Sequence, residues 1–415
     1  SDRGGLVLEP LPGIFPHVAI IDFMSMYPSI IVEYNISPET VGVEEKDALE
    51  ISEMGIKISS HEGLIPAALK PMVEKRIRVK RILQKLDKND SRYVRYTAYK
   101  NALKWLCVVA YGRLGFANST FGRINSHEVV SYIGRKLLLE AKEIAEDHGF
   151  TVIHAYVDSL FICRPGAAKA EDFQSVLDEI EQKTNLPIEL EEIYSWAAFV
   201  SSKQNPNLSV PNRFFCLKSN GEYKLRGLAA RRQDTPPFIA SIQGEILQLL
   251  AKEKDPNQLV KVLPEVINLL HERISTLSNQ KVPIEQLLIT QRLSREINEY
   301  RVPSSAARAA RQLQSMGKNI QMGQKIQFVY VKTKQGIHAR GLPDPLNPAW
   351  VDIARYKELL FSAAHEVLQP MGIPKDVLRN WMFSKANYLF PPGVLHHRLE
   401  LPLFASLKNV RVDLI

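Results

Sequence analysis

The sequence predicts an α+β fold, an antiparallel sheet with long helices outside it. Three observations lead there. HVAIIDF (residues 17–23) is a β-rich run that follows a Pro/Gly turn and carries Asp22 near its end. TVIHAY (151–156) and SLFIC (159–163) are two apolar strands separated by a tight turn. Helical spacing dominates residues 64–86, 92–114 and 128–147 and most of the chain beyond 241.

In chain order, LVLEPLPG reads as a strand ending in a turn, HVAIIDF as a second strand, and the apolar stretch up to residue 34 as a helix start. Leu69, Val73 and Ile77 fall at i, i+4 and i+8, one helical face. The polar turn DKNDS follows, where Asp90 or Ser91 can cap the next helix, from about Arg92 to Leu114. Two antiparallel helices on so short a turn make a hairpin that can project from a core. After the 151–163 strand pair, mixed structure leads to KLRGLAARRQDTPPF (224–238). The helical pattern beyond 241 is broken by β-like KIQFVYV (325–331) and a Pro-rich stretch at 342–348. Domain joints are expected near residues 60, 116 and 240.

Length and composition narrow the function. At roughly 150 residues per domain, 415 residues make two or three domains with real cores. Hydrophobic residues at 45% and charged residues at 24% argue against wholesale disorder. No apolar run reaches the ~18 residues of a membrane span, and SDRGGLVLEP has no signal-peptide pattern. Cys107, Cys163 and Cys216 are far apart and odd in number, which fits neither zinc nor a disulfide framework and points to a reducing compartment. The net charge of +8 suggests a polyanionic partner. Between Lys75 and Lys104 there are eleven Lys or Arg against two acids, Asp87 and Asp90; a solvated helix pair explains such a run as readily as a phosphate-binding one.

Three segments could carry chemistry. In DFMSMYPSI, Asp22 ends a buried strand before a turn of small and aromatic residues, a place to hold a divalent cation, with backbone N–H groups able to cradle phosphate. A capping Asp at a strand end is the plainer explanation. In HAYVDSLFI, Asp158 occupies the tight turn of a hairpin, where Asp is common for conformational reasons alone. In KNALKWLCVVAYGRLGF, Lys104, Val108 and Tyr111 share a helical face, so a Lys and a Tyr could meet a phosphate and a base. Arg76 and Lys80, at i and i+4, share a face of the opposing helix.

Together these residues resemble the polymerase module of the family B DNA polymerases, over nearly the whole chain. RGGLVLEP is similar to the family's YxGG linker at Gly4 and Gly5, with Asp2 in the Tyr position. DFMSMYPSI matches motif A, DxxSLYPSI, with Met26 for Leu; Arg76 and Lys80 match the RxxxK of the first fingers helix. Lys104, Tyr111 and Gly112 match motif B, KxxxNSxYG, and Asp158 and Ser159 match motif C, YGDTDS. ELEEIY resembles the ExE-x-x-Y segment, NRFFCL is a partial KKRY at Arg213, and KLRGLAARRQDTPPF resembles the palm–thumb junction. KVPIEQLLITQRLSREINEY and VPSSAARAARQLQSMG are similar to thumb sequence. Motifs in family order and spacing carry a specificity that no single one has.

The resemblance implies a right-hand polymerase fold. The palm would comprise 1–60 and 116–240, with an antiparallel sheet; helical-hairpin fingers would occupy 61–115 and a mainly helical thumb 241–415. The exonuclease and N-terminal domains of full-length relatives would precede residue 1. It implies two-metal phosphoryl transfer, with Asp22 and Asp158 as catalytic and metal-bridging carboxylates, the carbonyl of Phe23 as a further ligand, and Glu191 as an auxiliary carboxylate or a plain surface acid. Mg²⁺ is the expected ion, with Mn²⁺ able to substitute. Arg76, Lys80 and Lys104 would clamp the triphosphate. Ser25, Met26, Tyr27 and Tyr111 would complete the dNTP site, Tyr27 excluding a 2′-OH. Gly4, Gly5, Gly112, Arg213, Lys224, Arg226, Arg231 and Arg232 would meet primer-template DNA. Expected partners are primer-template DNA and dNTPs, with a sliding clamp or single-strand-binding protein as candidates; NVRVDLI at the C-terminus carries no convincing clamp-binding peptide. The expected location is cytoplasmic, at the nucleoid. Two departures stand out: Tyr156 occupies the first motif C acid position, and Val108-Val109 replaces the motif B Asn-Ser. The pattern is similar to the divergent second group of archaeal family B polymerases. A DNA-templated DNA polymerase is therefore expected, with a catalytically weakened or inactive primer-template-binding homologue as the alternative.

Overall fold

The structure is a computed structural model that describes residues 3–202, 205 and 208–384. Asp2 and the C-terminal NVRVDLI lie outside the described residues. The chain divides into two compact units. The first holds Ser1–Pro10 and His17–Ile193, the second Leu11–Pro16 and Tyr194–Ile415. Strands β2 (Gly13–Phe23) and β7 (Ile188–Ser201) cross the division.

The first unit opens with β1 (Val7–Leu8), followed by β2 and helix α1 (Met26–Glu33). A small hairpin, β3 (Leu49–Ile51) and β4 (Ile56–Ile58), precedes the two long helices α2 (Leu64–Lys85) and α3 (Ser91–Leu114). Asp90 caps α3 as expected, its Oδ1 accepting the Arg92 N–H at 2.8 Å. Then come α4 (Ile124–Asp147), β5 (Thr151–Tyr156), β6 (Ser159–Cys163) and α5 (Glu171–Thr184). Helix α4 begins ahead of the expected residue 128 because Ser126 is buried with its hydroxyl on Ser37 O at 3.2 Å, a contact that hydropathy spacing does not register.

The sheet of this unit is antiparallel in the order β1–β5–β6–β2. Its register pairs Asp22 with Ser159 and Tyr156 with Ser159 across the β5–β6 turn. One sheet face lies on α4 and α5. The alternate residues Ala19, Ile21 and Phe23 of β2 enter that core beside Leu160 and Ile162 of β6 and Val130, Leu137 and Leu138 of α4. Leu69 and Val73 of α2 join it, with Ile77 partly buried, as their helical spacing predicts. Burying one such aliphatic side chain contributes roughly 1.5–3 kcal/mol, so the hairpin's root is anchored by packing.

The second unit pairs the later part of β7 with β8 (Ser209–Lys218), and β8 with β9 (Tyr223–Arg226), all antiparallel. Helices α6 (Pro237–Leu250) and α7 (Leu263–Ser278) follow. Next come β10 (Ile289–Arg292), α8 (Ser305–Ser315), β11 (Lys325–Tyr330) and β12 (Ile337–Ala339), then α9 (Ile353–Leu368) and α10 (Lys375–Phe383). The β-like break at 325–331 is the centre of a three-stranded sheet, β10–β11–β12. Its flanking strands, of four and three residues, are too short to show a period. Among the described residues no helix is long and apolar enough to cross a membrane. Cys107, Cys163 and Cys216 are buried, and none of them is in a disulfide.

Candidate active site

The end of β2 and the β5–β6 turn build one locus in the first unit. The Phe23 N–H donates to the Asp158 carbonyl at 2.9 Å and the Met24 N–H to the Pro187 carbonyl at 2.8 Å, fixing the chain on either side of Asp22 and Asp158. The turn at Asp158 is tight. The Asp158 N–H bonds the Tyr156 carbonyl at 2.7 Å around Val157, whose φ of 60° is rare for a β-branched residue. Backbone strain at this point is held by a further bond, Val157 N–H to Leu6 O at 2.8 Å.

Both carboxyls are difficult to ionise. Burial, then the Asp158 carboxylate, push Asp22 up to about 7, with Lys80 opposing and Glu191 and Glu189 adding to the rise. Burial also raises Asp158, while a backbone N–H, Lys80 and Lys104 hold it down. A pair of half-buried carboxylates in mutual repulsion suits a divalent cation, whose charge relieves that repulsion. The hard oxygen donors fit Mg²⁺ or Mn²⁺. Among the described residues no group of three or more His, Cys, Asp or Glu side chains converges on a metal position.

The Lys80 charge acts on both Asp22 and Asp158, and the Lys104 charge on Asp158. Lys80 also pairs with Glu189 of β7, a buried acid that sequence reasoning did not single out, and Gln84 one turn further along α2 donates to Glu189 at 2.6 Å. The signal was present: Glu189 and Glu191 alternate on one strand, so they share a face of β7. Glu191 is exposed and its charge registers at both Asp22 and Asp158. Arg76 is buried, its Nε lacks a hydrogen-bond partner among the described residues, and its charge acts on Cys107 of α3. Lys104 and Val108 are exposed.

After Asp22, the chain turns through Ser25 in the left-handed region, φ 60° and ψ 46°, into α1. The Ser25 hydroxyl is buried without a partner among the described residues, and Met26 is core. Tyr27 occupies a narrow slot. Its ring meets Tyr111 in a tilted contact at 4.5 Å between centroids, and Tyr111 stacks on His127 of α4 at 4.3 Å. The Tyr111 hydroxyl hydrogen-bonds Ser131 at 2.9 Å. A Cβ on Gly5 would come within 2.7 Å of the Tyr27 hydroxyl, and one on Gly134 within 2.8 Å of its ring, so both positions require glycine for close approach. Sequence reasoning named Gly5 but not Gly134, His127 or Ser131.

The remaining residues scatter. Gly4 O accepts from Arg135 Nη1 at 2.6 Å, and Gly112 is exposed on α3. In the second unit, Arg226, Arg231 and Arg232 are exposed and Lys224 is half-buried. Arg232 makes a bidentate pair with Asp234, at 2.7 and 2.9 Å. Arg213 is half-buried, with its guanidinium on the buried Glu366 of α9 and its Nε without a partner among the described residues.

A sequence model of DNA polymerase family B matches residues 2–363. The chain belongs to that family. This family B chain is 30% identical to a DNA polymerase of Archaeoglobus fulgidus over 344 residues, 83% of the chain and 42% of the relative. It is 33% identical to DNA polymerase 2 of Saccharolobus solfataricus over 261 residues, 63% of the chain and 37% of the relative. The fold is similar to that of the family B DNA polymerase from the hyperthermophilic archaeon Pyrobaculum calidifontis, with a TM-score of 0.64, 25% identity and coverage of 90% of this chain and 47% of that one. The family B chain thus spans less than half the length of these relatives.

The raised Asp22 carboxyl yields a prediction for the metal-free protein. A carboxyl whose folded value lies above its unfolded one binds the extra proton when folded, so its contribution makes stability fall as pH rises from about 4 to about 7. Asp22→Asn should therefore melt a few degrees higher than wild type at pH 8, by an order of 2 kcal/mol, with the gain fading towards pH 4. Mg²⁺ should stabilise wild type more than the variant. Equal melting temperatures at pH 8 in chelator would show that the two acids do not repel.

Proposed function

We propose that this chain is the polymerase module of a DNA-templated DNA polymerase, which adds deoxynucleotides to a primer 3′ end by two-metal phosphoryl transfer. The single observation that carries this reading is the half-buried pair Asp22 and Asp158, with the Lys80 charge of α2 and the Lys104 charge of α3 acting on it. The palm is assigned to 1–60 and 116–240, the fingers to 61–115, and the thumb to 241–415, of which 385–415 lie outside the described residues.

Asp22 and Asp158, with the Phe23 carbonyl, would hold the ions, and Glu191 is an auxiliary candidate at the rim. Two bound divalent ions supply charge neutralisation at the attacking 3′-oxygen and the pyrophosphate leaving group. The protein's own part is positioning. Lys104, exposed and near Asp158, is free to meet a triphosphate oxygen. Lys80 can do so by exchanging Glu189 for phosphate, and Arg76 by turning from the hairpin interior. Tyr27 would lie under the sugar and Tyr111 behind it, with Ser25 and Met26 shaping the turn. Gly4, Gly5 and Gly112 leave backbone room, and Lys224, Arg226, Arg231 and Arg232 would contact DNA phosphates without reading sequence. Arg213 would act from its pairing with Glu366. A sliding clamp and a single-strand-binding protein remain candidate partners.

The second reading, a weakened or inactive primer-template binder, draws on Tyr156 in the acid position, Val108-Val109, and the engagement of Lys80 by Glu189. Primer extension with Mg²⁺ and Mn²⁺ separates the two: dNTP-dependent, template-directed elongation supports the enzyme, and tight binding without elongation supports the alternative. Under either reading affinity for primer-template should fall steeply with salt, with a slope of about −0.9 per phosphate contact, and vary little with sequence. A flat salt dependence in an anisotropy titration would remove the phosphate-contact account.

A further inference from the structure

Glu366 is a buried acid of the second unit. It lies on α9 at 5% exposure. A carboxylate removed from water costs several kcal/mol unless its charge and lone pairs are matched. Here they are. Its Oε1 accepts from Arg213 Nη2, and its Oε2 accepts the Ala229 N–H at 2.8 Å and Gln243 Nε2 at 2.8 Å. Gln243, wholly buried on α6, accepts the Ala230 N–H at 2.7 Å and donates to the Ala363 carbonyl at 2.8 Å. Two consecutive backbone N–H groups of one short 3₁₀ turn, Ala229–Arg231, are thus held by side chains from two helices. The turn runs straight into the exposed Arg231 and Arg232.

We propose that Glu366, with Gln243, is a positioning residue that sets Arg231 and Arg232 for DNA phosphate by clamping the Ala229 and Ala230 amides; this rests on the reading of the chain as a DNA polymerase. A buried acid that served stability alone could be exchanged for an apolar residue with little effect on binding. A clamp cannot, because a released turn lets both guanidinium groups disperse and lose the fixed geometry of their phosphate contacts.

The test is a cycle of variants of the full chain, measured by anisotropy on a duplex primer-template over a salt series. Glu366→Ala and Gln243→Ala should each weaken binding about tenfold and make the salt slope shallower by about 1–2, the loss of one or two phosphate contacts. Glu366→Gln keeps an acceptor for Ala229 and should retain most of the affinity. In an Arg231→Ala/Arg232→Ala background, Gln243→Ala, which leaves the Arg213–Glu366 pair in place, should add nothing, because the groups it positions are gone. Additive losses, or an unchanged slope in Glu366→Ala, would overturn the proposal. If Glu366→Ala does not fold, Gln243→Ala carries the same cycle. Wild-type binding that is steeply salt-dependent yet indifferent to Arg231→Ala/Arg232→Ala also overturns it, whereas no primer-template binding by wild type would instead sink the polymerase reading.

Discussion

Asp158→Ala is expected to abolish primer extension while leaving primer-template affinity nearly intact. The carboxylate lies in a turn held by three backbone hydrogen bonds, Phe23 N–H to Asp158 O, Asp158 N–H to Tyr156 O and Val157 N–H to Leu6 O, none of which involves its side chain. Truncation therefore removes a charge without undoing the turn, and it relieves the repulsion with Asp22. What is lost is half of the only paired carboxylate locus proposed to hold divalent ions. The rate should fall by more than about 10³-fold, on the order of 4 kcal/mol of transition-state stabilisation. Binding should persist because it is assigned to Lys and Arg groups elsewhere on the chain. Single-turnover extension beside an anisotropy titration measures both quantities. Tyr156→Asp is the informative background, since it restores an acid at the turn: extension at limiting Mg²⁺ should hold or rise, and adding Asp158→Ala should silence it again. Wild-type extension by Asp158→Ala would remove the assignment and move the chemistry to other residues.

Legibility in the sequence followed the range of each interaction. The strands 151–156 and 159–163 and the helix capped by Asp90 were readable because period, turn and cap are local. Asp22 and Asp158 were readable as candidates because one closes a β-rich run and the other sits in the tight turn between two, and their proximity follows from the β2–β6 register. Glu189 escaped notice because its burial depends on Gln84, 105 residues earlier, and on Lys80. Arg213 reads from the resemblance as a DNA-binding residue, but its partner Glu366 lies 153 residues away and no local pattern announces it. The desolvation of its guanidinium, followed by the nearby Arg232 charge, lowers its affinity for a proton, which marks an interior group. Strands β10 and β12 were hidden for a different reason. Four and three residues cannot display alternation, and only pairing with β11 makes them strands.

Tyr27→Ala is expected to raise ribonucleotide use relative to deoxyribonucleotide use by an order of 10²-fold, the scale at which a packed site discriminates one small group. Discrimination by exclusion needs a ring that cannot retreat, and the slot around Tyr27 supplies one. Gly5 meets its hydroxyl, Gly134 its ring edge and Tyr111 its face, and Tyr111 is held from behind by His127 and Ser131. Close-packed surroundings of this kind yield only at a cost, roughly 1–3 kcal/mol for an inserted methyl. Gly134→Ala should thus displace the Tyr27 ring and change the same discrimination ratio. His127→Ala should loosen Tyr111 and weaken discrimination less than Tyr27→Ala does. The measurement is kcat/KM for a matched rNTP and dNTP pair opposite one template base, so losses in folding cancel in the ratio. A Tyr27→Ala enzyme that still extends primers with wild-type sugar selectivity would reject the gate, because the aromatic ring wedged between Gly5 and Gly134 would then be packing and nothing more.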